Sequence, residues 1–329
     1  EIDLHLLRKG AGSTVCFGLL TFAIPQLLGM AAASWLLGMA MMPAILLASM
    51  FASHTLLTFP LVSLFGLGRS RAVAACVGGT VITDLLAMLI LAVIASAAQG
   101  QLGPGYWVRL TAFLGIYAVA TLMLVPPVAR WFLRRFADGG VVEYAFVLGL
   151  MFLCAWLARL AGIEAIIGAF LAGLILNSLV PERSALMNRI SFFGNTLFIP
   201  VFMVAVGMLV DLRLLAGSHA WAVSGVMVAV ALAAKFFAAE GFGRMFRYSR
   251  DERMLIYGMS VNQAAATLAA VIVGYRLKLF NDDILTGTVM MILVTCFVGA
   301  WVTDRFGRRV ALAQQQPENY DFSAAPQRI

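Results

Sequence analysis

Long apolar runs separated by short polar stretches dominate the chain. They cover about 13–34, 38–64, 70–98, 106–133, 141–160, 162–180, 191–210, 218–241, 253–276 and 283–303. Each is long enough, or nearly so, to cross a hydrocarbon core of ~30 Å at ~1.5 Å per residue. The pattern predicts an all-α polytopic membrane protein with about ten transmembrane helices over residues 1–302. The remainder, 303–329, is polar, includes Gln314-Gln315-Gln316-Pro317, and reads as a disordered cytoplasmic tail.

Composition supports the pattern. Of 329 residues, 62% are hydrophobic and only 12% are charged, and mean hydropathy is +0.94. A soluble domain of this size needs more charge on its shell. The net charge of +7 does not point to nucleic acid, because the basic residues form no single patch and no nucleic-acid-binding motif accompanies them. They fall between apolar runs. One set of alternate loops holds Arg8, Lys9, Arg69, Arg71, Arg130, Arg134, Arg135 and most later arginines. The other set, with the spans near it, holds Arg109, Arg159, Arg213, Arg276 and Lys278. By the positive-inside rule the first set is cytoplasmic, both ends of the chain lie inside, and the membrane is the cell's inner (plasma) membrane. Cys16, Cys76, Cys154 and Cys296 are isolated within apolar runs, so neither a disulfide framework nor a zinc site is expected. Nothing in the sequence calls for a cofactor. The chain opens Glu1-Ile2-Asp3-Leu4, which is not a signal peptide and reads as the middle of something longer.

An internal repeat is present. Asp3-Leu4-His5-Leu6-Leu7 recurs as Asp211-Leu212-Arg213-Leu214-Leu215, and Gly79-Thr80-Val81 recurs as Gly287-Thr288-Val289, both at an offset of 208 residues (211 less 3, 287 less 79). At that offset the polar interruption Ser53-His54-Thr55 falls opposite Val261-Asn262-Gln263. The offset carries the first span onto the eighth, an odd number of crossings later. The copies, about 1–98 and 209–302 and linked by helices in 106–208, are therefore expected to run in opposite senses. That is the inverted-topology repeat of many secondary transporters.

Asp84 is the acidic residue nearest the middle of any span. Burying its ionised form costs about 2.5–3.5 kcal/mol on insertion scales, so it is expected to face water or a partner and to carry function. A carboxylate that holds a proton and a cation in turn is the functional reading; a neutral carboxyl bonded to a neighbouring helix is the structural one. Thr83 offers a hydroxyl oxygen beside it, and hard monovalent cations prefer oxygen ligands. Lys235, an ammonium inside an apolar span, either pairs with Asp84 or snorkels to the nearby cytoplasmic interface. The segments Ser53-His54-Thr55 and Ser260-Val261-Asn262-Gln263 are expected to break their helices at mid-membrane, with freed backbone groups facing the substrate. The alternative for Ser53 and Thr55 is bonding back to the preceding turn of an intact helix. His54 either titrates near neutral pH or makes a helix–helix hydrogen bond. The small residues of Gly168-Ala169-Phe170-Leu171-Ala172-Gly173 allow close helix packing.

These residues together resemble the monovalent cation:proton antiporter-2 family, of the cation:proton antiporter superfamily, nearly through Arg309. Ile167-Gly168-Ala169-Phe170-Leu171-Ala172-Gly173-Leu174 is similar to a characteristic segment of that family. Gly207-Met208-Leu209-Val210-Asp211-Leu212 is similar to the segment ending its next helix. Thr83-Asp84 resembles the polar–acidic pair on the fifth helix of the antiporter core, where the family often has Asp-Asp or Asn-Asp. Lys235 resembles the basic residue on the tenth helix that pairs with that acid. Asn262-Gln263-Ala264 stands where many members carry Arg or Gln followed by Gly-Glu. The resemblance implies a dimerisation domain and a mobile core in which two broken helices cross. It also implies that the N-terminal helices of the fold are absent here, and that the full-length form is a homodimer.

The expected function is secondary active transport, not enzymatic catalysis. A monovalent cation, Na+ or K+, and H+ compete for Asp84. The alternatives are an inverted-repeat symporter of another small solute, which Asn262 and Gln263 keep open, and a membrane sensor without transport. An aspartyl intramembrane protease needs a second carboxylate, and neither H-E-x-x-H nor G-x-S-x-G occurs.

Overall fold

The computed structural model describes residues 11–68, 70–98, 104–136, 140–160, 165–177, 179–181, 184–198, 200–201, 204, 208 and 218–315. Among these, regular secondary structure is entirely helical. In a bilayer no water satisfies backbone N–H and C=O groups, so chains this apolar close their own hydrogen bonds as helices. The order is α1 (Ala11–Trp35), α2 (Met41–Ala52), α3 (Phe59–Leu64), α4 (Arg71–Ala98), α5 (Pro104–Arg135), α6 (Val141–Leu160), α7 (Ala165–Asn177) and α8 (Ala185–Phe193). After a π-turn at Gly194–Phe198 come α9 (Ser218–Met245), α10 (Arg250–Ser260), α11 (Ala265–Arg276) and α12 (Asp282–Gln315).

Six helices among the described residues are long and apolar enough to span a membrane: 12–35, 71–98, 115–135, 141–160, 221–245 and 282–314. The expected spans 38–64 and 253–276 are not single helices. Each is interrupted, giving α2 and α3 on one side and α10 and α11 on the other. Of span 162–180, α7 is the helical part among the described residues, and 162–164 and 178 lie outside them. Span 191–210 begins as α8 and the π-turn, and most of it beyond Phe198 lies outside the described residues, as do the repeat segments 3–7 and 211–215.

The last helix corrects the expected tail. Instead of ending at 303, α12 continues to Gln315; residues 316–329 lie outside the described part. Docking explains the extension. Gly258 of α10 has no Cβ where Thr303 crosses it, and Gly307 leaves room for the Phe65 ring. Arg308 bonds Asp304 one turn back and lies over Phe65. Arg309 approaches Asp251 at the start of α10. That helix starts at Arg250 because Ser249 and Glu252 form a reciprocal capping box.

Packing centres on α1, which lies against α2, α4 and α9, while α9 also lies against α10 and α12. Phe17, Cys76, Phe242 and Ile256 are among the buried residues of one half of this group; Leu46, Phe51, Leu91, Met227 and Val271 help form the other half. Helices α5, α6 and α7 pack on one another around Ala129, Leu150, Cys154 and Ala172. Gly168 makes the α6–α7 approach possible. A side chain there would run into the Cys154 carbonyl, the Ala158 methyl and the Tyr117 hydroxyl, and that hydroxyl donates to the same carbonyl at 2.7 Å. Gly173, in the same segment, has open space around it.

Gly168→Val should therefore lower the thermal midpoint in detergent, since overpacking costs about 1–3 kcal/mol. Gly173→Ala should hold or raise it, because Ala is favoured over Gly in a helix by about 1 kcal/mol. Differential scanning fluorimetry on the pair checks both directions.

Candidate functional site

The two interruptions meet. After Ala52 the chain turns extended at Ser53 (φ −63°, ψ 151°), and α3 resumes only at Phe59. After Ser260 the chain leaves its helix through Val261, and α11 resumes at Ala265. The Thr55 backbone N–H donates to the Asn262 carbonyl at 2.8 Å. Gln263 Nε2 donates to the Phe51 carbonyl at 3.2 Å. Asn262 Nδ2 reaches the Gly258 carbonyl at 2.9 Å, the Met259 carbonyl at 3.3 Å and Thr58 Oγ1 at 3.3 Å. Ser260 bonds back to Tyr257, and the Cys296 thiol donates to the Gln263 carbonyl. These contacts satisfy backbone groups that a broken helix leaves open. The break at Ser53 thus replaces the intact-helix alternative; the Ser53 N–H still reaches Ser49, but its hydroxyl points elsewhere.

That hydroxyl donates to Asp84 Oδ1 at 2.7 Å. Asp84 sits within unbroken α4 and is partly exposed, while Thr83 beside it is fully buried. At this length it is a well-formed O–H···O hydrogen bond. Thr83 donates to the Thr80 carbonyl at 2.9 Å and lies 3.3 Å from His54 Nδ1. His54 Nε2 lies 2.9 Å from Thr80 Oγ1, which itself donates to the Cys76 carbonyl. His54 is fully buried, with the edge of Phe17 against its ring.

Lys235 is fully buried on α9, so the snorkelling alternative does not hold. The direct pair with Asp84 is not formed either. Its ammonium donates to the Ala52 carbonyl and to the carbonyl and hydroxyl of Thr21, both at 3.3 Å. Three acceptors use its three N–H groups. It caps the last turn of α2, where helix carbonyls carry partial negative charge. The acid and the base thus join through one peptide unit, with Lys235 on Ala52 and Asp84 on Ser53.

Asp84, Thr83, Ser53, His54 and Lys235 are thus brought together around the first break, and Asn262 and Gln263 close it from the second. Thr55 contributes its backbone; Ser260 contributes no bond across the crossing. Sequence reasoning missed three partners. Thr80 was legible in part, one turn before Asp84 and inside a repeated triplet. Thr58 carried only its place after the break. Thr21 carried no signal, because its carbonyl matters as much as its hydroxyl. Asn262 Oδ1 and Gln263 Oε1 are buried without a protein partner, which leaves acceptor capacity beside the crossing. Gly299 makes room for Asn262, since a Cβ there would collide with the amide.

Comparisons with known proteins give the family and a similar fold. The model of the sodium/hydrogen exchanger transmembrane family matches residues 1–306. The chain is 32% identical over 321 residues to the Na(+)/H(+) antiporter NhaS5 of Synechocystis sp., covering 95% of this chain and 46% of that relative. It therefore spans less than half of that protein's length. It is 22% identical over 302 residues to the probable Na(+)/H(+) antiporter 3 of Methanocaldococcus jannaschii, covering 91% of this chain and 77% of the relative. In fold it is similar to the solved sodium proton antiporter MjNhaP1 from Methanocaldococcus jannaschii. The TM-score is 0.66 at 15% identity, over 94% of this chain and 80% of that one.

Asn262→Leu removes the amide that ties Gly258, Met259 and Thr58 together. Stability should fall by about 1–3 kcal/mol, the cost of stranding buried polar groups. Gly299→Val should show the same sign by displacing the amide. Thermal midpoints in detergent, read against the wild type, check this.

Proposed function

The chain belongs to the sodium/hydrogen exchanger transmembrane family, and from that premise we propose that it exchanges a monovalent cation, Na+ or K+, for protons at Asp84. The observation that carries the reading is the Ser53–Asp84 hydrogen bond. A carboxylate on an unbroken membrane helix meets the chain where the neighbouring helix is interrupted, among oxygen ligands suited to a hard cation.

Proton and cation compete for the same oxygens. With Asp84 ionised, Ser53 donates to it; an arriving cation takes Asp84 and turns the Ser53 and Thr83 hydroxyl oxygens from donors into ligands. A proton on Asp84 removes the charge and releases the ion. Lys235 supplies fixed positive charge at the end of α2 without occupying the carboxylate. Alternating exposure to the two faces follows from rocking of the helices that carry the crossing.

The reading extends to an inverted-topology repeat of 1–98 and 209–302, supported by the shared 208-residue offset, with crossing broken helices. It places the protein in the plasma membrane with both ends cytoplasmic, supported by the distribution of arginines, and as a homodimer in full-length form.

In proteoliposomes carrying the full-length protein, Asp84→Asn should abolish cation-dependent proton flux while the thermal midpoint holds. Ser53→Ala should raise the KM for the cation about tenfold, as expected for losing one hydrogen bond to a charged group. A scan over Na+, K+ and Li+ identifies the ion. Undiminished flux in Asp84→Asn overturns the assignment. Flux of an organic solute in place of these ions favours a symporter, and absence of any flux in the wild type favours a sensor.

A further inference from the structure

His54 is a buried titratable side chain that the exchange scheme leaves unused. Its ring lies between two hydroxyls of α4, with Nε2 at 2.9 Å from Thr80 Oγ1 and Nδ1 at 3.3 Å from Thr83 Oγ1. Each threonine has one proton to give. Thr80 spends its proton on the Cys76 carbonyl at 2.9 Å, so toward His54 it is an acceptor and Nε2 must carry hydrogen. Thr83 can turn its proton either to the Thr80 carbonyl at 2.9 Å or to the unprotonated Nδ1. A neutral ring with hydrogen on Nε2 therefore satisfies every group without placing a charge there. An imidazolium would add a second buried cation to a region that already holds the Lys235 ammonium. The charged group that acts on it is the Lys235 ammonium of α9, and from α4 the Cys76 carbonyl is a further acceptor beside the ring. From α1 it meets the ring of Phe17.

We propose that His54 is a positioning residue for the carboxylate: a neutral imidazole, hydrogen on Nε2, that pins the first break to the polar face of α4. It follows Ser53 in the chain. The two residues hold the same face of α4 from adjacent positions, Ser53 at Asp84 and His54 at Thr80 and Thr83. Fixing the ring against two hydroxyls sets the register of Ser53 against Asp84 and the direction in which Thr83 presents its oxygen. The proposal rests on Asp84 being the ion-exchanging group for its transport consequence, and on the hydrogen-bond pattern alone for its tautomer.

Two measurements on the full-length protein test it. Transport separates position from titration. His54→Gln keeps one donor and one acceptor but cannot titrate; its KM should stay within about threefold of wild type, with the midpoint of the pH profile unmoved. His54→Phe keeps a ring without either bond; its KM should rise about tenfold while maximal flux falls less. A displaced pH midpoint in His54→Gln overturns the proposal in favour of a titrating group, and wild-type KM in His54→Phe overturns it outright. The second measurement needs no transport. Ring nitrogen chemical shifts of labelled histidine, assigned by their loss in His54→Gln, should report the Nε2–H neutral tautomer from pH 6 to 8.5. A doubly protonated ring anywhere in that range overturns the proposal. If the tautomer is found but the wild type carries no ion flux, the exchange reading fails and the positioning geometry stands.

Discussion

A helix that stops inside a bilayer leaves bare N–H and C=O groups where water does not reach, and everything near the crossing answers that constraint. Helix α2 stops at Ala52 and α10 at Ser260. The closure is made by residues far apart in the chain. Lys235 takes the Ala52 carbonyl, Gln263 takes the Phe51 carbonyl, and the Asn262 carbonyl takes the Thr55 N–H. Each break is thus the other's solvent. Neither could face lipid alone.

The same closure brings the acid into play. Leaving the helix turns the Ser53 hydroxyl away from the backbone of its own preceding turn and toward Asp84. The peptide unit that follows Ala52 then carries two attachments, the ammonium on its carbonyl and the carboxylate on the next side chain. A change of charge at Asp84 acts on Ser53, and through one rigid peptide plane on the capped end of α2. In this geometry the end of α2 is tied to the carboxylate through Ser53. The uninterrupted α4, which carries Asp84, is the rail against which that helix end sits.

Much of this was legible in the sequence, and the reasons are physical. A polar cluster inside an apolar run has no use in an intact lipid-facing helix, so Ser53-His54-Thr55 and Asn262-Gln263 announced the breaks. Asp84 announced itself by its expense. The helix start at Arg250 was readable in Ser249-Arg250-Asp251-Glu252 as a capping box, yet the apolar run begins later and hid it. The extension of α12 was not readable from hydropathy, because Thr303–Gln315 is polar on its own and is held by Gly258, Phe65 and Asp251 from other helices. Nor was the partner of Lys235 readable. The rule that a buried cation seeks a carboxylate holds for side chains, but a helix C-terminus is also an anion in part, and only the fold brings one within reach.

Capping of the α2 end by Lys235 bears on how the proposed exchange runs. Breaking a buried ion pair by withdrawing one partner costs about 3–5 kcal/mol, because the other charge is left uncompensated. If Lys235 were bound to Asp84, every proton or cation arriving at the carboxylate would have to meet that cost. Here the ammonium is satisfied by three fixed oxygens of Ala52 and Thr21 whatever Asp84 holds. The ligand to be displaced is the Ser53 hydroxyl, a neutral group that can turn from donor to acceptor without moving its oxygen. A hydroxyl that swings costs far less than an ion pair that parts, so the carboxylate can trade partners while the crossing stays closed.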